Sequence, residues 1–381
     1  MTTIPKTTTN NKIPKLALHI INAGIGESII VEMPNGKWGV VDCYAKSVVN
    51  PDTNPTLQFL LEHQIKELEF LCLTHPHSDH YRGMSHLLDS FSIKYFWRFA
   101  AMPLEYLLNL LNYLKGDALE RQDDYDVESA NDLQTTLHLV SQKRMRKELS
   151  VRHMSDIKPL YPIPVILTEG GSSGEVEILS ISPSSDNVEW YQDSIRECFT
   201  ADGHLKPDRP HLRHNDISAA RLIRYGLTCV VLGGDVETKN WHHTLSALNN
   251  SKLAAHAVKV SHHGSEAGYT PNLWAVFSAN GEPYAIITPY RKHCLPKREA
   301  VKHIKRHTNR LMITCRPAVP FATDTDFEIW QNYSPQVQFA IRNVFRSFHA
   351  NRLSNLGICS LAFDNWGNCI SINYSGAASA L

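Results

Sequence analysis

The densest group of residues that could do chemistry is the segment 75–80, which reads His-Pro-His-Ser-Asp-His. It follows an apolar run of strand length, so these side chains are expected at the C-terminal end of a strand. Alternation along an extended chain puts His75 and His77 on the same side, where both could hold one metal ion. Asp79 and His80 lie on the following turn and could reach a second ion. Because zinc and manganese prefer imidazole and carboxylate ligands, we predict a metal site here rather than a polar loop merely rich in histidine.

Two later segments also end in residue types that ligate metals. Residues 230–232 form an apolar strand followed by Gly-Gly and Asp235, whose carboxylate could bridge two ions, although Gly-Gly-Asp alone is more often a turn. Residues 258–260 form another strand, and His262 and His263 follow it. A single histidine at a strand end is usually structural, but a pair beside a metal motif indicates ligands. The sequence leaves open which of the two is the direct ligand.

Together these segments resemble the metallo-β-lactamase superfamily and, within it, the hydrolase domain of ComEC-type DNA-uptake proteins. The resemblance runs from residue 16 to about residue 313 and does not cover the C-terminal tail well. Asp42 matches the acidic residue that ends the family's third strand and supports its metal loop. The other matching segments are the opening stretch 20–31 with its glycine turn and Glu27-Ser28 pair, the loop 75–80, Asp235, and the His-His-Gly-Ser stretch 262–265.

The resemblance implies an α/β fold, namely a four-layer αββα sandwich, which here carries a helical insertion. It also implies two divalent metal ions, Zn²⁺ or Mn²⁺, that activate water. Asp79 and Asp235 would orient that water and are the predicted catalytic residues, while Asp42 would support the metal loop from behind. The predicted metal ligands are His75, His77, Asp79, His80, Asp216, Asp235, His262 and His263.

Asp216 enters this set through a departure from the family pattern. The superfamily usually supplies a further histidine from the loop before the strand that leads to the bridging aspartate. Here residues 213–218 read Arg-His-Asn-Asp-Ile-Ser. Counting back from Ser218, the position falls on Asp216, and His214 is also in reach. An Asx turn at Asn215 and Asp216 is an equally weighted alternative.

The predicted reaction is phosphodiester hydrolysis, most simply by a nuclease, because the subfamily resemblance favours that substrate and the fold alone does not select one. The alternative is a small-molecule phosphoester, thioester or lactone hydrolase. Lys259, Arg291, Lys292 and the basic run 143–147 are candidate phosphate contacts, and Tyr290 is a candidate stacking surface for a base or sugar. For each of these side chains, solvent exposure or core packing is the alternative.

Composition limits these choices. The 381 residues carry 38 Lys+Arg and 38 Asp+Glu, and 43% are hydrophobic, which excludes a disordered chain and a wholly basic coat protein. The neutral balance argues mildly against a nucleic acid as substrate, which nevertheless remains a predicted partner. No apolar run is long enough to span a membrane, and the 8 cysteines form no CxxC pair. We therefore expect a soluble, cytoplasmic protein with free thiols and no membrane partner.

The elements that must position these residues follow from hydrophobic periodicity. Strands are predicted at 16–21, 28–33, 38–42, 68–74, 176–181, 218–224, 229–232, 257–260 and 285–288, and a helix at 56–63. A further helix is predicted at 335–352, and a hairpin at 360–363 and 369–373.

The predicted organisation has three parts. Residues 1–15 form a polar lead, and residues 16–330 form the hydrolase domain. Residues 331–381 add a helix and a hairpin packed on that domain. Leucines at helical spacing make 103–150 a helical insertion, which could serve as a lid, a substrate channel or a surface for a partner protein.

Overall fold

The computed structural model of the protein describes residues 14–100, 102–120, 126–155, 158–164, 175–248, 253–317, 334 and 355–381. The predicted helix 335–352 and all but two residues of the predicted polar lead lie outside these ranges. The strands are β1 (Leu16–Asn22), β2 (Glu27–Glu32), β3 (Trp38–Val41), β4 (Glu67–Leu73), β5 (Ser92–Arg98), β6 (Ser150–His153), β7 (Lys158–Pro164), β8 (Glu175–Ser180), β9 (Arg221–Tyr225), β10 (Thr228–Leu232), β11 (Ala257–Lys259), β12 (Tyr284–Ile287), β13 (Leu311–Ile313), β14 (Gly357–Phe363), β15 (Cys369–Gly376) and β16 (Ser379–Ala380).

The helices surround these strands. They are α1 (Pro55–Glu62), α2 (Ser78–Tyr81), α3 (Met84–Ser90), α4 (Leu104–Glu120), α5 (Val127–Met145), α6 (Ser185–Glu197), α7 (Thr238–Ala247), α8 (Pro271–Phe277) and α9 (Arg298–Lys305). Short 3₁₀ turns at His214–Ile217, Ser261–Gly264 and Arg291–His293 lie close to the predicted site residues.

The strands form two mixed sheets of eight strands each. The first has the order β15-β14-β1-β2-β3-β4-β5-β6, and the second has the order β16-β13-β12-β11-β10-β9-β8-β7. In the first sheet β3 to β6 are parallel, and in the second β10 to β13 are parallel. Because the carboxyl ends of parallel strands lie at one edge of a sheet, the loops after β4, β10 and β11 are placed where a site can form.

Three separate apolar cores show how the sheets are layered. Phe70 and Val230 belong to the core between the sheets, whereas their neighbours Leu71 and Val231 belong to two outer cores. Successive strand residues point to opposite faces, so both sheets are covered on both sides. Helices α3, α4 and α5 supply the outer core of the first sheet, and α7, α8 and α9 supply that of the second. The predicted four-layer αββα sandwich is confirmed.

Two elements differ from their predicted bounds by three residues, more than the others do. The strand predicted to begin at Ser218 begins at Arg221. Ser218 instead anchors a turn, since its hydroxyl accepts a hydrogen bond from the Asp235 amide at 2.9 Å. The late hairpin is longer than predicted, because β14 pairs along the whole of β1 and so becomes part of the first sheet.

The predicted insertion is helical and is tied to the chain that follows α2. Asp132 of α5 accepts hydrogen bonds from the Gly83 amide at 2.7 Å and from the Ser85 hydroxyl at 2.5 Å. Arg82 pairs with Asp126 just before α5 at 2.8 Å. The roles suggested for the insertion stay predictions. Among the described residues, no helix combines the length and the hydrophobicity that crossing a membrane requires.

Candidate metal centre

The segment 75–80 connects β4 to α2 and turns its polar side chains into the interior. His75 and His80 are fully buried, and Asp79 is 7% exposed. The backbone of His77 is extended, and α2 begins at the next residue, so the chain reverses direction inside the segment. Because of this reversal, His75 and His77 can face one group of possible metal ligands while Asp79 and His80 face another.

One group of possible ligands contains Asp79, His80, Asp235 and His263, whose ligand atoms all lie within 4.8 Å of one another. The His80 Nε2 atom lies 3.4 Å from an Oδ2 atom of each of the two aspartates. The His263 Nε2 atom lies 3.2 Å from Asp79 Oδ2 and 3.4 Å from Asp235 Oδ2. Loops after β4, β10 and β11 therefore converge on one point.

A second group contains His75, His77 and Asp235. The His75 Nε2 atom lies 3.0 Å from His77 Nδ1 and 3.9 Å from Asp235 Oδ2. The ring of His214 lies 5.1 Å from the ring of His77, at the open side of this group. Asp235 belongs to both groups, so its carboxylate lies between them.

The outer nitrogen atoms of the buried imidazoles are held by protein groups. His80 Nδ1 lies 2.8 Å from Asp42 Oδ2, and His263 Nδ1 lies 2.8 Å from the carbonyl oxygen of Thr288. His75 Nδ1 lies 2.8 Å from the hydroxyl of Thr74, which itself donates to Asp42 at 2.9 Å. Donation from Nδ1 directs Nε2 of all three rings towards the ligand groups, the orientation that histidine ligands of metals show.

Buried charges make the two groups strongly polar. Burial opposes ionisation of Asp79 and Asp235, yet the nearby imidazoles of His80 and His263 hold the pKa of both carboxyls well below the usual range. Conversely, burial alone would lower the pKa of His80, but the surrounding carboxylates raise it well above its usual value. The same balance raises the pKa of His263 to about 9. Without a metal, protons on these rings balance the carboxylates.

His75 behaves differently. Its pKa is well below the usual value because of burial and because His80 and His77 lie beside it. It is therefore neutral and has a lone pair at neutral pH.

The donor set fits a divalent cation. His80 Nε2 and Asp235 Oδ1 are buried and make no hydrogen bond, and both atoms belong to residues of the first group. The ammonium of Lys259 lies 3.9 Å from Asp235 Oδ1, beyond hydrogen-bond distance, and a bound cation would satisfy this buried oxygen more closely. Imidazole nitrogens and carboxylate oxygens in this number are the ligands of zinc and manganese sites.

The two adjacent histidines occupy different positions. Only His263 belongs to a ligand group, whereas His262 lies on the wall of the cleft with its Nδ1 atom 3.5 Å from Glu237 Oε1. Both have left-handed backbone angles, with φ of 46° and 54°. Such angles are rare outside glycine and are concentrated at functional sites, and here they separate two neighbouring rings.

The predicted position of Asp216 differs from the observed one. Its carboxylate faces Arg213 at 3.6 Å and joins neither ligand group, while its carbonyl accepts a hydrogen bond from Asn240 at 3.0 Å. The loop forms a 3₁₀ turn, in which residues two apart point in different directions. His214 instead faces the cleft, buried to 1% exposure, and its Nδ1 atom lies 2.5 Å from the hydroxyl of Tyr191.

The predicted phosphate contacts lie mostly elsewhere. Lys259 is fully buried, with its Nζ atom 2.6 Å from Glu27 Oε2, so it cannot meet a substrate. Neither Arg291 nor Lys292 lines the cleft, and the run 143–147 belongs to the end of α5 and the turn after it. Tyr290 does line the cleft, and its ring stacks on His263 at 5.2 Å.

The cleft above the two groups has a volume of about 480 Å³. Among the described residues that line the cleft, the arginine is Arg213 and the lysine is Lys297. Arg213 pairs with Glu237 at 3.0 Å. Sequence reasoning did not identify Glu237, although it follows Asp235 by two residues. Two further lining residues that it missed are His211 and Lys297, which lie outside the helices and strands.

Comparisons with known proteins give matches at the level of solved structures. No protein-family model matches the chain, and no curated protein matches it. A metal-dependent hydrolase of the β-lactamase superfamily, Tm1679, is 13% identical, with a TM-score of 0.39, over 78% of this chain and 94% of that one. Zn²⁺-bound PqqB from Methylobacterium extorquens is 11% identical, with a TM-score of 0.30, over 63% and 71%. A motif mutant of the metallo-β-lactamase from Cronobacter sakazakii is 11% identical, with a TM-score of 0.32, over 76% and 90%. The description of the fold rests on the sheets and cores themselves.

Proposed function

We propose that this protein is a metal-dependent hydrolase whose side chains hold two divalent metal ions. The observation that carries the proposal is the position of Asp235, whose carboxylate belongs to both ligand groups. A shared carboxylate is a typical way to hold two ions about 3.5–4 Å apart, the spacing found in two-metal hydrolases. Either zinc or manganese suits these ligands.

Each residue of the centre has a proposed role. His75 and His77 hold one ion, and His214 completes that side in place of the predicted Asp216. Asp79, His80 and His263 hold the other ion. Bound ions supply Lewis acidity and lower the pKa of water. Asp79 and Asp235 accept hydrogen bonds that orient the attacking water, and Tyr290 forms the wall against which the substrate lies.

The proposed substrate is a phosphodiester, as the resemblance to ComEC-type hydrolase domains implies. A long nucleic acid needs several phosphate contacts, whereas Arg213 and Lys297 are the cationic side chains among the described residues of the cleft. Arg213 is moreover paired with Glu237. This charge distribution favours a compact ester, so a small-molecule phosphoester, thioester or lactone hydrolase is the second candidate.

The test is a substrate panel with the protein loaded with Mn²⁺ or Zn²⁺. Single- and double-stranded DNA, RNA, bis-p-nitrophenyl phosphate, a thioester and a lactone are compared, with the Asp79→Asn variant as the inactive control and Asp216→Asn as the matched active one. We expect bis-p-nitrophenyl phosphate to be cleaved, with a KM that barely changes with salt. Steep salt dependence with DNA cleavage would identify a nuclease. Turnover of the thioester or lactone alone would reject the phosphodiester, and equal loss in both variants would reject the proposed centre.

A further inference from the structure

A second cavity, of about 870 Å³, lies between the helical insertion and the outer face of the first sheet. Its walls come from α4 and α5, and its floor comes from the ends of β5 and β6. It shares no lining residue with the cleft above the metal ligands. The volume lies within the range of sites that bind small organic molecules, about 300–1,000 Å³.

The lining of this cavity is mixed in chemistry. Half of the lining residues are apolar, among them Leu107, Leu111, Leu137, Val140 and Val151, and the other half are polar. One part carries cationic or ionisable nitrogen groups, namely those of Arg98, Arg144 and His153. No aspartate or glutamate is found among the described residues that line it. A partly apolar cavity with positive charge and no carboxylate is complementary to an anion that bears an apolar chain.

Arg98 is the most informative of these residues. Its Nε atom is buried and makes no hydrogen bond, and its Nη2 atom lies 2.9 Å from His153 Nε2. Burial, together with the positive charge of Arg144, lowers the pKa of Arg98 to about 10. Two buried arginines of this chain have counter-ions, since Arg82 pairs with Asp126 at 2.8 Å and Arg209 pairs with Glu120 at 2.8 Å, whereas the buried Arg221 donates to the Ala219 carbonyl at 3.1 Å. Arg98 has no carboxylate partner in the part of the chain that the structure describes.

We propose that this cavity binds a single-chain amphipathic carboxylate. The carboxylate forms charge-assisted hydrogen bonds with Arg98 and Arg144, and the alkyl chain lies between Leu107 and Leu111 of α4 on one side and Leu137 and Val140 of α5 on the other. Leu108, which is 52% exposed, stands among the lining residues and gives the chain an apolar surface as it enters. The site is distinct from the metal centre and does not depend on the proposed hydrolase activity.

The experiment is calorimetric titration of the full-length, metal-loaded protein with decanoate, and with decanol as the uncharged probe of equal length. We expect one decanoate per chain and at least about tenfold weaker binding of decanol, since the alcohol cannot form charge-assisted hydrogen bonds with the arginines. Arg144→Gln changes an exposed side chain and leaves the fold intact, and Arg98→Met keeps the aliphatic stem. Each should weaken decanoate binding about tenfold and leave decanol unchanged, while Arg306→Gln, on the surface after α9, should alter neither.

Three outcomes would overturn the proposal. The first is absence of decanoate binding to the wild-type protein. The second is equal affinity for decanoate and decanol, which would mean that the arginines do not select an anion. The third is decanoate binding that both arginine variants retain in full, as expected if the carboxylate occupies the metal centre instead.

Discussion

Asp42 Oδ2 and His80 Nδ1 lie 2.8 Å apart in the interior, and this contact joins the end of β3 to the metal loop. The same carboxylate accepts hydrogen bonds from the amide and the hydroxyl of Thr74, at 2.8 and 2.9 Å. Because the Thr74 hydroxyl also faces His75, one aspartate orients two imidazoles. Asp42 adopts a left-handed backbone angle, φ 59°, which an aspartate tolerates better than most residues. The sheet thus fixes the ligands before any metal binds.

Replacing Asp42 tests this arrangement. In Asp42→Asn the fold is expected to persist, but His80 loses its charged acceptor and affinity for Zn²⁺ or Mn²⁺ should fall about 10–100-fold. Competition with a chromophoric chelator measures the change. The exposed Asp52→Asn variant is the control and should bind like the wild type. An unchanged metal affinity in Asp42→Asn would show that its carboxylate does not orient a ligand.

The loop of residues 213–218 gives a second prediction. His214→Ala should weaken metal binding at least about tenfold, because its ring stands beside His77, whereas Asp216→Ala should leave the affinity unchanged. Elemental analysis after dialysis compares the two variants directly. The opposite result would restore Asp216 as a ligand, against the orientation observed here.

The buried pair of Lys259 and Glu27 gives a prediction about stability. Removing one member leaves the other charge buried, so Lys259→Met should lower the free energy of unfolding by about 3–5 kcal/mol. The double variant with Glu27→Gln should recover most of that loss, and urea titration measures both. Lys302→Met breaks the exposed pair with Glu299 and should cost about 1 kcal/mol or less. A double variant no more stable than Lys259→Met alone would show that the pair does not account for the loss.

His19 gives a prediction about pH. Burial between Trp38 and Phe59 lowers the pKa of His19 from 6.5 to about 4, with smaller contributions from His63 and Lys15. Below pH 6.5 His19 of the unfolded chain binds a proton, whereas His19 of the folded chain stays neutral down to about pH 4. The free energy of unfolding is therefore highest above pH 6.5 and falls as the pH is lowered towards 4.

His19 alone should change the free energy of unfolding by about 1.4 kcal/mol per pH unit within this window. His19→Gln should therefore flatten the dependence of unfolding free energy on pH over that window, as measured by urea titrations across the range. The exposed His204→Gln should keep the wild-type slope. Identical slopes in His19→Gln and the wild type would mean that His19 is protonated in the folded chain.

The sequence by itself determined the layered fold and most of the candidate site. Ligand-type residues follow apolar strands at 75–80, at Asp235 and at His263, and hydrophobic periodicity is a local property that short segments display. Parallel strands present their carboxyl ends at one edge, which places Asp235 and His263 together in the second sheet. The loop 75–80 belongs to the first sheet, and only the packing of the two sheets brings it to them.

The tertiary structure decided which side chains face the cleft. His262 and His263 are adjacent, and the left-handed backbone angles of the two residues bring His263 to the carboxylates. The side chain of Asp216 points away from both ligand groups for a similar reason, because side-chain directions in an irregular turn follow no fixed period. The sequence predicts Lys259 as a phosphate contact, but in the fold its side chain is buried against Glu27, a residue from the opposite sheet. Such burial depends on partners distant in sequence, and no local pattern encodes it.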